Sequence, residues 1–134
     1  MTSLTPEAPS IASYTPPPEI ANIRVFFLVS AIVNAIVTFA WLIATVAMGL
    51  ATMGIGCLLI FIPFITGAVC VMDFIASSKA VGPPTSGARS FLTFVAIADI
   101  LSGVFGASVV QLVMGILSLV FLNKQEVQAY YAGR

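Results

Sequence analysis

The 134-residue chain contains no histidine, and only 7% of its residues are charged. Without histidine, it lacks the usual axial ligand of haem and the commonest metal ligand and general base of proteins. Soluble domains carry about 25% charged residues, so water is not the expected solvent for most of this surface. The net charge is zero, which gives no basis for a nucleic-acid partner. We therefore expect no metal, no cofactor and no nucleic acid.

The sequence also lacks the short motifs of common catalytic and nucleotide-binding sites, such as HExxH, CxxC and a phosphate-binding glycine loop. Its two cysteines, Cys57 and Cys70, fall on roughly opposite faces of one predicted helix, so we expect no disulfide between them. These absences predict a protein that is not an enzyme.

Apolar residues are abundant instead, at 60% of the chain, and the mean hydropathy is +1.12. About 20 apolar residues in a helix cross a bilayer core of roughly 30 Å, and four segments are long enough. The sequence therefore predicts an all-α integral membrane protein, a four-transmembrane-helix bundle built from two helical hairpins. The predicted segments are a Pro-rich arm at 1–18, helices at 19–48, 54–78, 90–105 and 107–131, and a Gly/Pro loop at 79–89.

Two end segments extend beyond the predicted spans. The arm at 1–18 holds five of the eight prolines, which is typical of a disordered or polyproline segment. The fourth helix is expected to continue past the membrane as a helical extension. Its Val127, Tyr130 and Tyr131 are then expected at the level of the lipid headgroups.

The basic residues predict the orientation. With four spans they all lie on one side: Arg24, Lys79, Arg89, Lys124 and Arg134. The opposite turns, at 49–54 and 103–108, carry no charge. Because cytoplasmic loops are rich in lysine and arginine, both termini and the 79–89 loop are expected in the cytoplasm. The tail 122–131 is similar to the ends of small bacterial multi-span proteins, which favours a bacterial cytoplasmic membrane.

Asp99 is the residue that an apolar span is least expected to contain. It follows Arg89 by ten residues, or about 15 Å of helix, which places it near the bilayer midplane. An ionised carboxylate there costs at least about 2.5–3.5 kcal/mol. Asn34 also lies ten residues from a basic residue, Arg24, so its amide is at a similar depth and could donate to Asp99. Asp99 is either a structural, amide-bonded residue or a site for a proton, a cation or a partner's basic residue.

Other residues have structural roles in this prediction. Asp73 is expected to lie near the inner headgroups as an anchor with Lys79 or Arg89. Pro63 is expected to kink the second helix, because it removes a backbone hydrogen bond. Small residues that let helices approach closely are expected to form the packing faces, and they are Gly103, Gly106, Gly115 and Ser118.

Three functions remain open. The first is a non-enzymatic accessory or scaffold subunit that forms a homo-oligomer or joins other integral membrane subunits, through its helix faces and its Pro-rich arm. The second is a small proton- or cation-coupled transporter or channel that uses Asp99. The third is a lipid- or quinone-binding protein with a pocket between the second and third spans. Membrane lipids are expected partners in all three.

Overall fold

A computed structural model describes residues 15–106 and 108–133, so most of the predicted arm at 1–18 lies outside the described residues. Every described element is a helix. In chain order they are α1 (Pro18–Ala51), a 3₁₀ helix (Ile55–Ile60), α2 (Phe61–Ala80), α3 (Ser86–Phe105), α4 (Val109–Leu122) and α5 (Gln125–Tyr131). α1 packs against α2 and α4, and α3 packs against the same two helices, so α1 and α3 are diagonal.

Three of these helices, α1, α2 and α3, are long and apolar enough to cross a membrane. α4 and α5 make a fourth span only if the bent pair counts as one. Large apolar side chains cover much of the outer surface, with Phe39 and Phe64 at 66% and 70% exposed. Water solvates such a surface poorly, so the exposed helices suggest membrane insertion.

α1 begins and ends at recognisable signals. Pro18 occupies its first turn, where a missing N–H is harmless, and Glu19 faces the positive end of the helix dipole. At the other end, the hydroxyl of Thr52 donates to Met48 O at 2.6 Å and accepts from the Gly56 N–H at 2.8 Å. Gly54, with φ of 99°, then reverses the chain into the 3₁₀ helix.

Pro63 lies in the first turn of α2, directly after the 3₁₀ helix. N–H groups in a first turn have no intrahelical acceptor, so a proline there removes no hydrogen bond. The predicted kink at Pro63 assumed a proline inside the helix. Pro63 instead lies at the start of α2, after the change from 3₁₀ to α geometry.

α3 and α4 approach each other more closely than side chains would allow. A Cβ atom on Gly103 would lie 2.6 Å from Leu112 N, and one on Gly115 would lie 2.8 Å from Ala96 O. Gly106 instead ends α3, donating its N–H to Ser102 O at 2.7 Å. Of the predicted packing residues, Gly103 and Gly115 thus lie at the closest contact. Ser118, the last, is buried on α4.

The end of the chain corrects one prediction. α4 stops at Leu122, and α5 is bent from it by 74° and turns under the bundle. Val127, Tyr130 and Tyr131 are buried in the protein, and the Tyr131 hydroxyl donates to Ala80 O at 2.9 Å. The expected straight extension with these side chains among the headgroups is not what the structure shows. The last carbonyls of α2 need donors, and Tyr131 supplies one.

We call the end of the bundle that carries Arg24, Lys79, Arg89 and Lys124 the charged end, and the opposite one the turn end. An apolar core cluster lies in the charged half. Its buried members are Ile20, Ile23, Phe27, Ala76, Ala80, Ala88, Leu92, Val95, Ala96, Leu122, Val127, Tyr130 and Tyr131. α5 supplies Val127, Tyr130 and Tyr131 to this core.

Candidate functional site

Five polar side chains from all four long helices meet above the apolar core. They are Ser30 and Asn34 of α1, Asp73 of α2, Asp99 of α3 and Gln111 of α4, and each is at most 1% exposed. We call this group the carboxyl cluster. Buried polar groups are stable only when they are hydrogen-bonded, so the bonds within the cluster decide what it can do.

The amide of Asn34 links the other members. Its Nδ2 donates to Asp73 Oδ2 at 2.8 Å and lies 3.5 Å from Asp99 Oδ1, and its Oδ1 accepts from Gln111 Nε2. Ser30 Oγ donates to Asp99 Oδ1 at 2.8 Å. Both carboxyl groups therefore depend on two short side chains of α1.

Helix geometry explains why α1 supplies both donors. Ser30 and Asn34 are four residues apart, so they lie on one face of the helix. Side chains lean toward the N-terminus of their own helix, which for α1 is the charged end. α2 runs the other way, so Asp73 leans toward the turn end and meets Asn34 at the same level.

Two of the sequence predictions differ in outcome at this site. The structure brings Asn34 and Asp99 together, at the long end of hydrogen-bond distance. It does not bring Asp73 to Lys79 or Arg89, since Asp73 is fully buried and bonded to Asn34. The expected anchor at the inner headgroups is thus replaced by a second carboxyl group in the core.

The sequence prediction assigned Ser30 and Gln111 no part in the site. Ser30 precedes Asn34 by one helical turn, and this i, i+4 spacing was a usable signal. Gln111 gave a weaker signal, as a large amide on an otherwise apolar span.

Several acceptors in the cluster have no protein donor. Asp73 Oδ1, Asp99 Oδ2 and Gln111 Oε1 are buried without a hydrogen-bond partner among the described residues. The ion pair found in the described part of the chain is Lys124 with Glu19 at 3.2 Å, far from the cluster at the charged end. Two carboxylates without a cation are unstable at low dielectric, so this arrangement favours uptake of a proton or a small cation.

The described residues form no evident metal-binding cluster. Within residues 15–106 and 108–133, no group of three or more His, Cys, Asp and Glu side chains is placed to hold a metal ion. The oxygen donors at hand are two carboxyl groups and two amides, which suit a proton or a hard monovalent cation better than a transition metal.

Buried hydroxyl groups lie on both sides of the carboxyl cluster. Toward the charged end, Ser77 and Ser118 are buried together with the apolar core cluster. Toward the turn end, Thr38 Oγ1 bonds Thr66 Oγ1 at 2.8 Å. A cavity of about 380 Å³ opens there, lined by Trp41, Val69 and Ser102 among others.

Comparison of the chain with protein-family models, with curated proteins and with solved structures found no match to any of them.

Proposed function

We propose that this chain is a four-span integral membrane protein of two helical hairpins, with both termini and the 79–89 loop on the cytoplasmic side of a bacterial membrane. Exposed apolar side chains on α1, α2 and α3 support the spans. The uncharged turn end and the basic charged end support the orientation.

Within that frame, we propose a small proton- or cation-coupled transporter or channel whose coupling site is the pair Asp73 and Asp99. One observation carries this proposal: two fully buried carboxyl groups share the Asn34 amide, and no basic side chain of the described residues pairs with them. A second acid adds a buried charge or a bound proton, which is costly unless it is used.

A flux measurement in liposomes tests the proposal. The wild-type chain, reconstituted with a pH-sensitive dye inside, is expected to admit protons under an imposed membrane potential. Asp73→Asn and Asp99→Asn are each expected to reduce that flux to the rate of empty liposomes, because an amide of the same shape has no carboxyl proton to exchange. Repeating the assay with a sodium-sensitive dye separates a proton site from a cation site.

Glu126→Gln is the matched control, since it removes an exposed carboxylate of α5 by the same chemical change and is expected to leave the flux unchanged. Wild-type protein that passes neither protons nor sodium would contradict the proposal. A double variant of Asp73 and Asp99 that conducts like wild type would contradict it equally.

A second candidate function is the non-enzymatic assembly subunit, and one surface feature favours it. A shallow cavity of about 250 Å³ lies between the outer faces of α1 and α2, with Ala35, Gly67 and Cys70 in its lining. Small residues on an outer face let another membrane helix approach closely. We propose a second copy of this chain as the occupant, because a homo-oligomer requires no other component.

Filling the groove tests this second candidate. Gly67→Leu is expected to convert an oligomer to a monomer, measured as the mass of the detergent-solubilised protein. A Cβ at Gly67 would meet Thr38 Cγ2 at an ordinary 3.6 Å, so the fold itself should tolerate the change. Ala68→Leu, on the neighbouring exposed position outside the groove, is the control and should keep the wild-type mass. A monomeric wild type, or an oligomer that survives Gly67→Leu, rules the groove out as the interface.

A further inference from the structure

A third cavity lies at the charged end, between α2 and α3, and shares no residue with the carboxyl cluster. Its volume is about 570 Å³, and it is bounded by the last two turns of α2, the connecting loop and the first turn of α3. Phe74, Ile75, Ser78, Lys79 and Thr85 are among its lining residues. The cavity is open to the outside of the bundle, where the proposed spans leave the membrane core.

The lining of this cavity changes from apolar to polar along α2. Phe74 and Ile75 form an apolar wall, and they are 47% and 43% exposed. One turn further, Ser78 and Lys79 form a polar rim at the end of the helix. A ligand that fits must therefore have an apolar part toward the membrane core and a polar part toward the charged end.

The rim is positively charged, and no acidic side chain among the described residues neutralises it. Asp73, the nearest acid on α2, is withdrawn into the core and bonded to Asn34. Among the described residues, neither Lys79 nor Arg89 forms an ion pair, and Arg89 Nε is buried without a hydrogen-bond partner. By contrast Lys124, at the same end of the bundle, is paired with Glu19 at 3.2 Å.

The start of α3 adds to the positive potential. Thr85 caps the helix by accepting from the Ala88 N–H at 3.1 Å. The preceding N–H groups, of Ser86 and Gly87, have no acceptor within the helix, and the helix dipole adds partial positive charge at this point. Lys79 and the N-terminus of α3 thus lie on one rim of the cavity, and Arg89 directly follows the lining residue Ala88.

We propose that this cavity binds the headgroup and upper acyl chain of an anionic phospholipid from the cytoplasmic leaflet. The phosphate lies at the rim with Lys79, and the chain lies along Phe74 and Ile75. Basic pockets between membrane helices at the cytoplasmic side are typical sites for acidic lipids. A free phosphate would satisfy the rim but leave the apolar wall uncovered, so the wall selects a lipid.

Competition between two lipids tests this site on the full chain. Protein in mixed micelles of phosphatidylglycerol and phosphatidylcholine is expected to retain phosphatidylglycerol, counted as bound lipid by native mass spectrometry. Lys79→Gln should lower that retention about fivefold, the effect of one basic residue near a membrane surface. Lys124→Gln removes an equal charge that is already paired, and it should leave the retention unchanged.

Equal retention of the two lipids would overturn the site, and so would equal effects of Lys79→Gln and Lys124→Gln. Displacement of the lipid by glycerol phosphate at a similar concentration would show that the cavity recognises phosphate alone. Lys79 is exposed and outside the core, so the variant keeps the fold. The result is independent of proton flux, which depends on the carboxyl cluster.

Discussion

Replacing Asn34 with leucine is expected to lower the free energy of unfolding by about 2–6 kcal/mol, the cost of leaving two buried polar groups without their partner. Leucine has nearly the same shape but neither donates nor accepts a hydrogen bond. Asp73 Oδ2 would lose the Asn34 amide as a donor, and Gln111 Nε2 would lose its acceptor. Each orphaned buried group costs about 1–3 kcal/mol.

The measurement is unfolding of the purified protein in mixed detergent micelles, followed by the loss of helical circular dichroism. Asn22→Leu is the matched control: it makes the same change on an exposed position of α1 and should shift stability by at most about 0.5 kcal/mol. Adding Asp73→Leu to Asn34→Leu should recover part of the loss, because removing both partners is far less costly than removing one. Equal stability of the wild type and Asn34→Leu would mean that the amide does not hold the cluster together.

The sequence predicted the helices and, within the carboxyl cluster, the shared depth of Asn34 and Asp99. Asp99 and Asn34 are each ten residues from a basic residue, so depth alone placed them at one level. Ten helical residues are about 15 Å, which is a coarse but sufficient measure when both helices start at the same side.

Counting residues along the helix gave the wrong depth for Asp73. It precedes Lys79 by six residues, so counting along α2 placed it near the headgroups. The side chain leans toward the N-terminus of α2, and a donor at Asn34 is close enough to hold it in the core. Asp73 had two candidate partners, a donor in the core and a basic residue near the headgroups. Which of them it bonds depends on how the helices pack, and the sequence of one helix does not determine that packing.

The bend between α4 and α5 could not be predicted from the sequence, for a related reason. Asn123 and Lys124 contain neither of the usual breakers, glycine or proline, so periodicity favoured one continuous helix. The contact that fixes α5 joins Tyr131 to Ala80, 51 residues away. Such long-range contacts override local helix propensity.

Replacing Gly103 with alanine is expected to lower the free energy of unfolding by about 1–3 kcal/mol, the usual cost of overpacking a close contact. The added methyl group would lie 2.6 Å from Leu112 N and 2.9 Å from Leu112 Cα. These are backbone atoms, so relief requires α3 and α4 to move apart. Because Gln111 precedes Leu112, that movement would also draw its amide away from Asn34, and proton flux through the cluster should fall together with stability.

Gly87→Ala is the matched control on the same helix. No heavy atom lies within 4 Å of a Cβ at Gly87, so the substitution should leave stability unchanged or raise it by up to about 1 kcal/mol. Gly115→Ala, on the opposite side of the contact, would place its Cβ 2.8 Å from Ala96 O and should resemble Gly103→Ala. If alanine at Gly103 were as harmless as at Gly87, α3 and α4 would have to be farther apart than the structure shows. The position of Gln111 in the carboxyl cluster would then lose its support.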